Sequence, residues 1–171
     1  MKKLSLILGL LVVTITAGFA QKFAYVDTEY ILGNIPSYKA AEEELESMTT
    51  EWQTEIDAMY QEIDKMYREY QAEKVLLTQE MRQTREQEII SKEREAKKLQ
   101  NDYFGSEGLL YQKREEKIKP IQDEIYNALK EISNEGGYAL IFDTSGGPSI
   151  LYSNPRYDIS DDILTRLGYK N

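Results

Sequence analysis

One stretch of this chain gathers the residue types from which active sites are made. Asp143-Thr144-Ser145-Gly146-Gly147 sets a carboxylate and two hydroxyls beside a pair of glycines. Loops of that kind can build phosphate cradles or nucleophile turns. This one has no Walker lysine, no Gly-x-Ser-x-Gly spacing and no histidine to act as a base. The sequence contains no His and no Cys anywhere, which removes the commonest general base and the usual metal ligands together. Residues 143–147 therefore read as a turn. Carboxylate pairs such as Glu42-Glu43 are abundant, but on a long solvated helix they are surface charge rather than a desolvated acid–base pair. The expectation is a binding protein, not an enzyme, with no cofactor and no metal.

The residue types that could bind are Met and Tyr. Leu45, Met48, Trp52, Ile56, Met59, Ile63, Met66 and Tyr70 follow one another at spacings of 3, 4, 4, 3, 4, 3 and 4. The first three steps make an eleven-residue repeat and the later ones are heptads, so the stripe lies along one face of a helix. Tyr60 and Tyr67 sit one position after seam residues and widen it. A seam rich in Met adapts to varied surfaces, whereas Leu holds one register. Met59, Tyr60, Met66, Tyr67, Tyr70 and, beyond the tip, Met81 are the candidates for contact with an irregular apolar partner. The alternative is that the stripe is an ordinary coiled-coil core.

Elements of two kinds must position these residues. Residues 37–134 contain one proline and two glycines among dense Glu, Lys, Arg and Gln, and they read as an arm of helices. Pro36 suits the first turn of the outgoing helix. Val75-Leu76-Leu77-Thr78 interrupts the charge pattern as a tip near 75–78, and Thr78 caps the return. About 41 outgoing residues give roughly 60 Å. Residues 42–73 carry 11 acids against Lys65 and Arg68, while residues 82–100 carry six basic residues against four acids, an asymmetry that favours antiparallel pairing. Gly105 and Gly108 weaken the return and Pro120 is expected to bend it.

Residues 21–36 with 135–171 form the remaining body. Lys22–Asp27 alternates as a strand and Asp27 or Thr28 caps a brief helix. Tyr138–Phe142 is apolar without alternation, as in a strand covered on both faces. Ser149–Tyr152 reads as a further short strand, and Ser160 as the cap of a last helix ending at Gly168. About 50 residues bury too little core alone. Tyr25, Val26, Leu140, Ile141, Phe142, Ile150 and Tyr152 are therefore the candidates for an interface between copies. The fold class is α+β: a small β-containing oligomerisation body with a long antiparallel helical hairpin.

The first twenty residues have the pattern of an export signal: Lys2 and Lys3, an apolar run from Leu4 to Ile15, then Gly18 and Ala20 at the −3 and −1 positions of a cleavage site. Cleavage after Ala20 places the mature chain in the periplasm. Loss of the two lysines takes the formal charge from −9 to −11. That balance argues against nucleic acid, whose phosphates call for a basic surface, and gives no sign of membrane-surface contact.

Phe23-Ala24-Tyr25-Val26-Asp27, the charged hairpin, Lys119-Pro120-Ile121, Gly137 to Asp143, Ile150-Leu151-Tyr152 and Asp158-Ile159-Ser160-Asp161 occur in the order seen in the OmpH/Skp family of periplasmic chaperones, which the whole mature chain resembles. The resemblance implies a homotrimer joined through a shared β structure, with three helical hairpins around a cavity. It further implies ATP-independent capture of unfolded outer-membrane proteins. The acidic charge departs from the strongly basic character of the best-known member, so no lipopolysaccharide-binding residue is carried over. A structural coiled-coil spacer of the cell envelope is the alternative.

Overall fold

The structure, a computed structural model, describes residues 21–147, 150 and 152–170. The export segment lies outside the described residues, as do Pro148, Ser149 and Leu151 of the expected further strand. The elements run β1 (Lys22–Val26), α1 (Thr28–Gly33), α2 (Pro36–Glu73), α3 (Gln79–Phe104), α4 (Leu109–Gly136), β2 (Tyr138–Asp143), a 3₁₀ turn at Pro155–Tyr157 and α5 (Ser160–Arg166). The described residues divide into two units, one running to Ile31 and resuming at Tyr126, the other Leu32–Ile125.

In the first unit β1 and β2 pair in parallel, with Phe23 opposite Leu140, Ala24 opposite Ile141 and Tyr25 opposite Phe142. Parallel neighbours need a crossover, and here everything between the two strands supplies it. Period-two alternation sorts β1: Ala24 and Val26 are buried while Phe23 is exposed. The other side of β1 is held at Tyr25, which bridges to Asp158 and whose carbonyl accepts the Ile159 N–H at 3.0 Å. Asp27 caps α1 by accepting the Tyr30 N–H at 2.9 Å. Gly137, at φ 67, makes the tight passage from α4 into β2, a conformation that glycine adopts without steric cost.

Ser160 differs from its expected role as a cap. It is the first residue of α5, whose N-cap is Ile159. Its buried hydroxyl instead accepts the Asp27 N–H at 2.9 Å and donates to Asp158 at 2.6 Å. A hydroxyl already tied to the distant Asp27 N–H and to the nearby Asp158 carboxylate is not left to close its own helix. Ile150 and Tyr152 carry no regular structure.

In the second unit α2 runs antiparallel to the return. Its buried residues Ala41, Leu45, Ile56, Ile63 and Tyr70 are separated by 4, 11, 7 and 7 positions, so the eleven-then-seven repeat of the sequence is also the pattern of burial. Ile63 and Tyr70 pack with Ile89 and Ala96 of α3. Ala41 and Leu45 pack with Ile118 of α4. Acids of α2 meet bases of the return, with Glu62 to Lys92 at 3.4 Å and Glu44 to Lys117 at 2.7 Å. The return is two helices rather than one, separated at Gly105–Gly108, whereas α4 continues through Pro120.

Candidate functional site

Two surfaces collect the residues singled out from the sequence, one in each unit. In the first unit an open groove of about 920 Å³ is lined by Phe23, Tyr25, Phe142, Ile150, Tyr152 and Tyr157. Phe23 and Phe142 approach with ring centroids 6.5 Å apart. A second groove of about 540 Å³ is lined by Tyr126, Leu129, Leu140 and Ile141, with Lys130 and Asp143 at its margin. Leu140 is 55%, Phe142 47% and Tyr152 81% exposed. The strand expected to be covered on both faces is thus largely uncovered by the described residues of its own chain. Its apolar side chains were patterned for burial that a body of this size does not provide.

The seven interface candidates fall into different positions. Leu140, Phe142, Ile150 and Tyr152 are exposed, and Tyr25 and Ile141 are half-buried. Val26 is buried inside its own chain at 2% exposure. Sequence reasoning missed Phe23, although the alternation of β1 with Ala24 and Val26 pointed it to the same side as Tyr25.

The loop that first suggested chemistry is a structural knot. Asp143 accepts from the Thr28 hydroxyl at 2.7 Å and its N–H at 3.2 Å, and from the Ser145 N–H at 3.0 Å and hydroxyl at 2.9 Å. Partial burial pushes the Asp143 carboxyl up. The hydrogen bonds from Ser145 and Thr28 outweigh that and hold it below the usual carboxylate range. Every side-chain oxygen of Asp143, Thr28 and Ser145 is engaged in tying the end of β2 to the start of α1. No group of three or more acidic residues suited to a metal ion occurs among the described residues.

In the second unit the six contact candidates separate by exposure. Met59 and Met66 are half-buried against the Ile63–Tyr70–Ile89–Ala96 core. Tyr70 is 4% exposed, and its hydroxyl donates to Glu86, a bond that raises its pKa above the ordinary tyrosine value. Tyr60, Tyr67 and Met81 are exposed. The tip is firmly built: Thr78 accepts the Met81 N–H at 3.3 Å, and Arg82 donates twice to the Leu77 carbonyl at 3.1 Å. Val75 and Leu76 stand out from it at 85% and 84% exposure. No helix among the described residues is long and apolar enough to cross a membrane.

The comparisons with known proteins agree with this arrangement. The profile of a family described as outer membrane protein (OmpH-like) matches residues 22–167. Among solved structures, one described as an outer membrane chaperone (OmpH-like) from Caulobacter crescentus CB15 is similar at a TM-score of 0.62 and 12% identity. The match covers 88% of this chain and 86% of that one. At that identity the likeness is one of fold. No curated protein sequence matches the chain.

Proposed function

Because this chain belongs to the OmpH-like outer membrane protein family, we propose that it is a periplasmic chaperone which holds unfolded outer-membrane proteins without ATP. In this reading the signal is cleaved after Ala20. Three copies then join through the uncovered faces of their bodies, and three hairpins border the space in which a client is held. Family membership and the fold shared with an OmpH-like chaperone support the chaperone role. The observation that carries the finer reading is the split in the apolar stripe. Ile56, Ile63 and Tyr70 close the hairpin on itself, while Tyr60, Tyr67 and Met81 remain open to solvent.

Unfolded outer-membrane strands alternate apolar and polar residues and aggregate in water. A holdase without fuel must shield them through many weak contacts and release them by mass action. Exposed Tyr and Met supply such contacts, since each offers an apolar body and Tyr adds a polar end. Met59 and Met66, half-buried beneath them, give the surface room to adapt. The acidic arm would repel acidic segments of a client and leave apolar contact as the dominant attraction.

The test is light scattering from a denatured outer-membrane barrel protein diluted into buffer without ATP. The chain should suppress aggregation at near-stoichiometric ratios. Joint replacement of Tyr60, Tyr67 and Met81 by Ser should weaken suppression about tenfold, as expected for losing roughly 1.4 kcal/mol, with helicity unchanged. Full suppression by the triple variant would move client contact off this stripe. No suppression by the unaltered chain would favour the envelope spacer.

A further inference from the structure

The break in the return of the hairpin is specified by more residues than a passive weak point needs. Gly105 closes α3 by donating its N–H to Asn101 at 2.8 Å, and the Gly108 N–H reaches the Gly105 carbonyl at 2.9 Å. A Cβ on Gly105 would stand 2.4 Å from the Asn101 carbonyl oxygen, and one on Gly108 2.7 Å from that of Tyr103. No other residue fits either position in this geometry. Opposite the break, α2 is continuous and presents Trp52. Its ring stacks on Tyr103 at 4.9 Å and 11°, and meets Phe104 edge-on at 6.2 Å and 73°. The Tyr103 hydroxyl donates to Glu55, also on α2, at 2.7 Å. The last two residues before the break are thus fastened to the unbroken helix by three rings and a hydrogen bond.

We infer that Gly105–Gly108 is the articulation of the hairpin and that Trp52, Tyr103, Phe104 and Glu55 form the latch that keeps it closed, released when the hairpin accommodates a bound unfolded chain. The rings are only half-buried, so the latch can be opened without exposing a core. Stacked and edge-on aromatic pairs contribute modestly beyond their burial, which suits a contact that many weak client contacts must be able to displace. The weak points flanking it differ in kind: Pro120 lies inside a helix that continues through it, and the tip is braced by Thr78 and Arg82. The release step rests on the holdase reading above. The closed latch does not.

The experiment is hydrogen exchange on the mature protein, alone and after capture of a denatured outer-membrane barrel protein, with aggregation suppression recorded in parallel. Capture should raise exchange in residues 103–110 about tenfold while residues 85–100 of α3 and the facing part of α2 stay protected. In the free protein Tyr103→Leu, which keeps an apolar helix former but removes the stack and the hydroxyl, should raise the same local exchange several-fold, up to about tenfold. Tyr103→Phe, which keeps the stack, should retain most of the protection, and the emission of Trp52, the one tryptophan, should shift to the red only in the Leu variant. Suppression without any rise in exchange at 103–110 would overturn release and leave the holdase reading standing. Absence of suppression would sink the holdase reading. The latch is then decided in the free protein, where unchanged exchange in Tyr103→Leu would overturn it and a local rise would uphold it.

Discussion

The hairpin and the body solve the same problem, covering apolar side chains, with opposite outcomes. In the hairpin, residues at intervals of eleven and seven meet a returning helix of the same chain, and Leu45, Ile56, Ile63 and Tyr70 are each at most 8% exposed. In the body, Ile31, Ile163 and Leu164 are sealed, yet Phe23, Leu140, Phe142 and Tyr152 remain open along the sheet and the segment after it. Helices in a hairpin supply each other's cover. A two-stranded sheet with two short helices and a few turns cannot cover both of its faces. The lesson is a division of labour: the hairpin covers its own seam, and the body leaves an apolar face that, on the reading proposed above, other copies complete.

The largest expected effect comes from breaking that completion. Leu140→Asp would place a charge in the face where copies are proposed to meet, at an expected cost of about 3–5 kcal/mol per interface. The assembly should fall to monomers in light scattering while far-UV circular dichroism keeps most of its helical signal. A drop in helicity to match would mean that the hairpin also depends on assembly, and the comparison would fail.

Ile56→Ala probes the other side. Its side chain is 1% exposed, and truncation should cost about 2–4 kcal/mol by leaving a cavity. Thermal melting should fall with the oligomer intact below the transition, since no residue of the body's open face is touched.

How much of this division was legible in the sequence depended on range. The strands at 22–26 and 138–143, the Pro36 start, the Thr78 cap and the seam are local patterns, and each appears where composition and spacing put it. Ser160 differs from its sequence expectation because a capping residue just before an acidic first turn looks the same whether its hydroxyl serves its own helix or, as here, the Asp27 N–H between β1 and α1, 133 residues away. The aromatic trio went unnoticed for a similar reason: Trp52 and Tyr103 are distant in sequence, and only the antiparallel register brings their rings together. Of the contact candidates, Tyr67 and Tyr70 are the same residue type three positions apart, and only the direction of the returning helix decides that one is buried and the other open.

A smaller effect is expected at the knot that joins the strand ends. Asp143 titrates below its unfolded value, so the stability it contributes is present above about pH 4, the ordinary range of an aspartate, and is lost as pH falls through its lower folded value. Asp143→Asn should cost about 1–2 kcal/mol near neutrality. It should also flatten the acid dependence of the urea midpoint relative to the unaltered chain. An equal acid dependence in both proteins would assign the effect elsewhere, for instance to Glu135 and Asp161, whose pKa values are lowered by hydrogen bonds from Arg166 and Lys170.

The central claim, that the body is finished only by other copies, is tested most directly by the mass of the mature protein in solution, measured by light scattering at micromolar concentration and followed through dilution. The account predicts a species of three chains that loses its body structure as it dissociates, with hairpin helicity persisting. A monomer that stays folded throughout, with Leu140, Phe142 and Tyr152 open to water and a single cooperative melt, would contradict it.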